Sequence, residues 1–305
     1  MRHAIINPRR SRDDGFSLTE ALIATALLLL LFGSAMPALS QTSMFSRTVG
    51  DNSEMHGSVR GATELLQQEI GQAGRVALPG PITLAAGALH GTSTVALSTT
   101  TGLFVGAQIL VGAGEQQETV TITALASPSI TAVFGIDHFA NEPVQISGGF
   151  GTGVVPPNMA NGSTGNKLKI YGDINDDGQM VYVEYTCDVA ATKLYRNVMA
   201  WDAANKPAVT EDMTLLNNVI ANPGGAPCFT YQTETVLTTT FVTGVAVTLS
   251  VQSQQRDVYS KQFSQATKTL LNVSPRNIFL VWTMTSIGIT KRLQPMPASI
   301  LALLP

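Results

Sequence analysis

Two groups of residues in this 305-residue chain have types and spacings that could do chemistry. The first is Asp173, Asn175, Asp177, Gly178 and Glu184, in the stretch KLKIYGDINDDGQMVYVEYTC, which satisfies D-x-[DN]-x-[DN]-G-x5-E in full. Calcium takes about six to eight oxygen ligands, and alternate acidic side chains on a tight loop converge on one point. Gly178 supplies the sharp turn, and Glu184 could close the site. The flanks read as strands, so this is not a helix-loop-helix site; the competing reading is an Asp/Asn/Gly turn between two strands. The second group is Gly15-Phe16-Ser17-Leu18-Thr19-Glu20, which opens a long apolar run. Between Phe16 and Leu39 the only charged side chain is Glu20. An ionisable group inside a membrane helix is costly and usually functional. Such a charge would be kept for a function, such as pairing with a neighbouring helix. The alternative is a plain anchor whose Glu20 snorkels to the interface.

Other reactive residue types are sparse. Cys187 and Cys228 are the only cysteines. In an exported protein they read as one disulfide, which in the chain-entropy model would stabilise by roughly 3–4 kcal/mol; in the cytosol they read as free thiols. Glu115, Glu118, Asp137, His138 and Glu142 are the acids and rings of interest in the middle of the chain. They could hold a metal or a sugar, but show no ligand spacing and read as solvated loop residues. The histidines are His3, His56, His90 and His138, and none reaches a recognisable Ser, Cys or Asp constellation. No metalloprotease, nucleophile-elbow, P-loop or dinucleotide motif is present. The sequence therefore reads as that of a non-enzyme.

These residues are positioned by elements that the pattern marks out in order. Four arginines, Arg2, Arg9, Arg10 and Arg12, precede the apolar run and favour a cytoplasmic N-terminus. The run itself is long enough to span a bilayer as a helix. Pro37 lies near its end, where a kink or local melting is expected. Val59, Ala62, Leu66, Ile70 and Ala73 then fall at helical spacing, with Arg60, Glu64, Gln67 and Gln68 on the other faces. Gly74 and Pro79-Gly80-Pro81 end the helix. From Ile82 to Ile146 short Thr/Val-rich alternating runs with Gly and Pro punctuation predict a small antiparallel β-module. It reads as decoration projecting from the rest of the molecule. GGFGTGVVPPNMANGSTG reads as a flexible connector. Beyond it come a hairpin around VYVEYTCDVAATKLYRNV and a strand with Val245, Val247, Leu249 and Val251 on one buried face. The tail from 279 to 305 is broken by Lys291, Arg292, Pro295 and Pro297 and is too interrupted for a second membrane span. Formal net charge is −3, with no basic cluster interleaved with aromatics, so nucleic acid is not an expected partner.

The GFSLTE junction followed by an unbroken apolar stretch resembles the type IV prepilin cleavage and methylation motif. The segment ATELLQQEIGQAGRV and the later strand series resemble PilW-type minor pilins and the J-type pseudopilins of type II secretion. The resemblance covers roughly residues 15–78 and 167–278. It implies cleavage between Gly15 and Phe16 by a prepilin peptidase, N-methylation of Phe16, and assembly with other pilin subunits through Glu20. Asp13 and Asp14 depart from the basic residue that usually ends such leaders. The implied fold class is α+β: a long N-terminal helix packed on an antiparallel β-sheet head, with an inserted all-β module. The expected division is a leader (1–15), a transmembrane and assembly helix (16–78), the inserted module (82–148), a pilin-like head (165–278) and a C-terminal tail (279–305). The implied place is the inner membrane, single-pass with the head in the periplasm, then an extracellular pilus. The implied role is a minor pilin in the tip or initiating complex; the alternatives are a type II secretion pseudopilin or a surface adhesin anchored by the helix. No cofactor is implied beyond possible calcium at the Asp173 loop.

Overall fold

A single helix, α1 (Leu18–Gln72, 55 residues), dominates the first quarter of the chain. At 1.5 Å per residue it is about 80 Å long. The structure, a computed structural model, describes residues 17–257 and 260–305. Ser17 caps α1: its hydroxyl accepts from the Thr19 N–H, and Glu20 reaches back to the Ser17 N–H. The helical pattern continues past Pro37 without a break. Every residue from Ser17 to Arg47 is exposed, and burial begins in earnest only at Met55. From there Val59, Ala62, Leu66, Ile70 and Ala73 are buried, as their spacing predicts. Each such aliphatic side chain, fully buried, contributes about 1.5–3 kcal/mol. That half of α1 is held by packing, whereas the first half has nothing to pack on. Gly74 turns the chain out of the helix at φ +81°, with its N–H bonded to the Tyr171 carbonyl and its own carbonyl to the Phe150 N–H. A Cβ there would lie 2.8 Å from both Ile278 and the Phe150 carbonyl oxygen, so only glycine fits.

The head holds two antiparallel sheets. One has the order β11-β10-β9-β8, formed by β8 (Lys167–Gly172), β9 (Val181–Asp188), β10 (Lys193–Ala200) and β11 (Thr214–Asn217). The other is built on the long β14 (Thr239–Arg256), flanked by β12 (Val219–Ile220) and β13 (Phe229–Val236) on one edge and by β15 (Phe263–Val273) on the other. The expected hairpin is β9–β10, paired from Lys193↔Asp188 to Ala200↔Val181. Val245, Val247, Leu249 and Val251 are all buried on one face of β14. These strands and the second half of α1 enclose the first core. The fold is α+β, a long N-terminal helix with antiparallel sheets.

The module is a six-stranded antiparallel sheet of order β1-β6-β3-β4-β5-β2. Its strands are β1 (Ile82–Thr83), β2 (Gly91–Ala96), β3 (Gln108–Val111), β4 (Glu118–Ala126), β5 (Ser129–Phe134) and β6 (Pro143–Ile146). It does not project as separate decoration. Side chains alternate across β8 and β9, so Leu168, Ile170, Val183 and Tyr185 face α1 while Tyr171 and Tyr182 face the module. Module residues Ile109, Ile122 and Phe134 share one core with those tyrosines and with Phe150. The head sheet is therefore buried on both sides.

The segment expected to be a flexible connector is packed. It includes β7 (Gly149–Phe150), and Phe150, Val154 and Val155 are fully buried. Its glycines serve close approach rather than mobility: a Cβ on Gly153 would sit 2.1 Å from the Gly74 Cα, and one on Gly151 would sit 2.7 Å from Phe241. The C-terminal tail is folded too. It forms α2 (Arg276–Ser286), β16 (Leu293–Gln294, parallel to β7) and α3 (Ala298–Leu303). Ile278 and Val281 enter the first core; Ile300, Leu303 and Leu304 enter the second.

Candidate functional site

The bare half of α1 is the candidate assembly surface. Ala21–Ser46 contains no Asp, Glu, Lys or Arg, and at 1.5 Å per residue it is about 39 Å long, more than the hydrocarbon core of a bilayer. Leu18, Leu22, Leu29, Leu30, Leu31 and Leu39 are each at least 65% exposed. In water so much apolar surface on one element is unfavourable; it requires lipid or other helices around it. Among the described residues this is the one helix long and apolar enough to cross a membrane. Glu20 sits at its start, with its carboxylate oxygen 3.3 Å from the Ser17 N–H. The positive end of a helix dipole favours a carboxylate there, so the charge is positioned at the N-terminal tip of the helix. Gly15 and Phe16 lie outside the described residues.

What fixes this helix to the head is a buried carboxylate that sequence reasoning passed over. Glu69 is 3% exposed, yet it lies on the apolar stripe, three residues after Leu66 and seven after Ala62. Its side chain accepts from the Tyr185 hydroxyl on β9 and from the Arg196 guanidinium on β10, with the Nε–Oε1 distance 3.0 Å. Burial, then the Glu69 charge, pushes the Tyr185 hydroxyl far above the usual tyrosine range, so it stays a donor. The signal in the sequence was an acid at a core position of the helical repeat, which demands a partner on the facing sheet.

The structure does not assemble the calcium constellation. Asp173 is fully buried, and it accepts from the N–H groups of Asp177 (3.0 Å) and Gly178 (3.4 Å). Arg75 lies 3.5 Å from its Oδ2 and also pairs with Asp176, so a guanidinium already supplies the local positive charge. Asn175 and Asp177 are exposed, and Asp177 accepts from the Gln179 N–H, as a turn residue does. Glu184 is elsewhere. Pleat alternation turns it to the module side of β9, where it meets Lys206 at 2.9 Å and Lys167 at 3.1 Å, with Lys169 at 3.7 Å. Burial opposes its charge, but the hydrogen bonds from Lys206 and Lys167 prevail and hold it below the usual carboxylate range. Lys169 is itself buried and donates to the carbonyls of Asn161 and Leu304, tying the tail to β8. Among the described residues no group of three or more His, Cys, Asp or Glu side chains is placed to hold a metal ion.

Cys187 and Cys228 form a disulfide, with Cα atoms 6.5 Å apart. It joins the end of β9 to the start of β13 and so crosslinks the two head sheets. In the module, Glu115 is exposed, whereas Glu118, His138 and Glu142 come together around a buried imidazole, and Asp137 accepts from the His90 N–H. Between α1 and the β15–α2 turn lies an open groove of about 500 Å³ lined by polar side chains including Glu64, Gln67, Gln68 and Arg276.

Compared with models of known protein families, with curated proteins and with solved structures, the chain matches none. The arrangement must therefore be read on its own terms. It joins a packed head to an exposed apolar half-helix whose one charged side chain before Arg47 is Glu20, at its tip.

Proposed function

We propose that the chain is a pilin-like subunit, cut at Gly15-Phe16 and built into a type IV filament through α1. The observation that carries this reading is the division of one continuous helix. Its second half is locked into the head by Glu69 and the aliphatic stripe; its first half, uncharged from Ala21 to Ser46, is exposed throughout. Before assembly such a half-helix is solvated by lipid, and in a filament by the same halves of neighbouring subunits, since both exclude water from it. Cleavage before Phe16 would leave a free amine one turn from Glu20, and in a staggered bundle that carboxylate would neutralise a neighbour's amine. A minor, tip-side position fits the bulk of the module, which every repeat along a shaft would otherwise have to accommodate.

Mass spectrometry of the mature N-terminus from membranes is the test. A start at N-methyl-Phe16 is expected; a start at Met1 or after Ser40 overturns the reading. Glu20→Ala is expected to be processed normally but to enter filaments poorly, and normal incorporation in pull-down of sheared filaments would contradict the amine-pairing role.

A further inference from the structure

The module holds a buried histidine between two carboxylates, in a position that no assembly role uses. His138 is buried, with its side chain fully shielded from solvent. Its Nδ1 lies 2.6 Å from Glu142 Oε2 and its Nε2 lies 2.9 Å from Glu118 Oε1. An ionised carboxylate only accepts hydrogen bonds, so both ring nitrogens must donate, and the ring that satisfies both is the imidazolium. The ring is closely boxed in. The Phe134 ring stands edge-on at 5.8 Å, and a Cβ on Gly112 would lie 3.2 Å from the imidazole Cε1. Glu118 and Glu142 are the charged groups hydrogen-bonded to it, one from β4 and one from the turn before β6; Asp137, its neighbour in sequence, is engaged with the His90 N–H.

Each carboxylate also holds backbone. Glu118 accepts from the N–H groups of Gly135 (2.8 Å) and Ile136 (3.4 Å), and Glu142 accepts from that of Phe139 (3.0 Å). His138 exchanges both backbone hydrogen bonds with Ala88, so the same residue fixes the segment that carries Leu89. Leu89 and Phe139 are each 71% exposed and sit on the outward side of that bridge, with Ile136 beside them.

We infer that His138, Glu118 and Glu142 form a proton-dependent clamp that keeps this end of the module, with Leu89, Ile136 and Phe139, in a fixed presentation while the imidazole is charged. Loss of one ring proton to water leaves a nitrogen lone pair facing a carboxylate. That hydrogen bond becomes a repulsion, one carboxylate swings away, and the backbone N–H groups it held are released. The direction follows from the sign: the clamp is closed with the proton on and opens as pH rises. On the acid side Glu142 is held below its usual range, by the Phe139 N–H first and His138 second, so the clamp survives down to the point where its carboxylates take up protons.

The test is made on the full chain in detergent, labelled with ¹⁵N-histidine, from about pH 5 to about pH 9, the range over which histidines titrate. Ring-nitrogen spectra, with His138 assigned by loss of its signals in H138Q, are expected to show both nitrogens protonated at the acid end. Amide exchange at Gly135, Ile136 and Phe139, corrected for intrinsic base catalysis, is expected to accelerate about tenfold or more as the imidazolium signature disappears. In E142Q, where the amide at that position cannot reproduce the carboxylate, the transition should move to lower pH. A neutral ring at the acid end in the native protein overturns the inference without any variant. So does corrected exchange that stays flat through the ring's titration.

Discussion

Glu69 and Glu184 are both buried acids held by cationic partners, one on α1 and one on β9. Removing one member of a buried ion pair leaves the other without compensation, which typically costs about 3–5 kcal/mol. Glu69→Ala should therefore destabilise the head by about that amount and strand Arg196 beneath α1; chemical denaturation followed by tryptophan fluorescence measures it, and a loss below about 1 kcal/mol would show the network to be energetically idle. Glu184 controls the acid limit instead. Its folded-state titration lies below the unfolded value of about 4.3, so its stabilising contribution is complete above that pH and is lost as pH falls through the lower folded value. Thermal melts of the wild type should drop steeply below about pH 4, while Glu184→Gln should start from a lower Tm and fall more shallowly over the same range.

At the scale of elements, the disulfide is the clearest lever. Cys187 and Cys228 close a loop with a sequence separation of 41 between the two head sheets. Replacing both with Ser should cost about 4 kcal/mol, read as a shift in the denaturation midpoint that adding a reductant to the wild type reproduces. Legibility in the sequence also divides by element. The two halves of α1 could be read directly, because an uncharged run and a three-to-four-residue repeat are one-dimensional signals. The β9–β10 hairpin and the buried face of β14 were readable for the same reason, through alternation. Glu69 was hidden because its partners, Tyr185 and Arg196, lie over a hundred residues away, and nothing local distinguishes a paired acid from a solvated one. The Asp173 loop misled in the other direction. Its spacing meets a metal-binding pattern, but Asp173 faces Arg75 and the pleat turns Glu184 away to Lys206 and Lys167. The glycines from 148 to 153 read as slack because composition alone cannot tell a mobile glycine from one pressed against Gly74 or Phe241.

For the whole molecule, the shared second core matters most. Deleting residues 82–148 would uncover Tyr171, Tyr182 and Phe150, so the truncated protein should aggregate or melt well below the intact one. If calorimetry found an unchanged, cooperative transition in the deletion variant, the module would be an independent unit after all. Point changes such as Phe139→Ser and Leu89→Ser are therefore the cleaner probes of any surface role for the module. The tail extends this argument. Gln294 donates to the carbonyls of Gln108 and Ser147 and accepts from the Gln108 N–H, while Leu303 and Leu304 fill the core between module and head. Residues close to 300 thus complete a structure begun near residue 80. In time rather than space, this means that the module core cannot close while the chain is still emerging, and that its closure waits on contacts some two hundred residues apart, the class of contact that makes folding slow. Until the last turn docks, the domain would remain partly open, and a chaperone or protease acting at that stage would meet the unfinished second core before the finished first one.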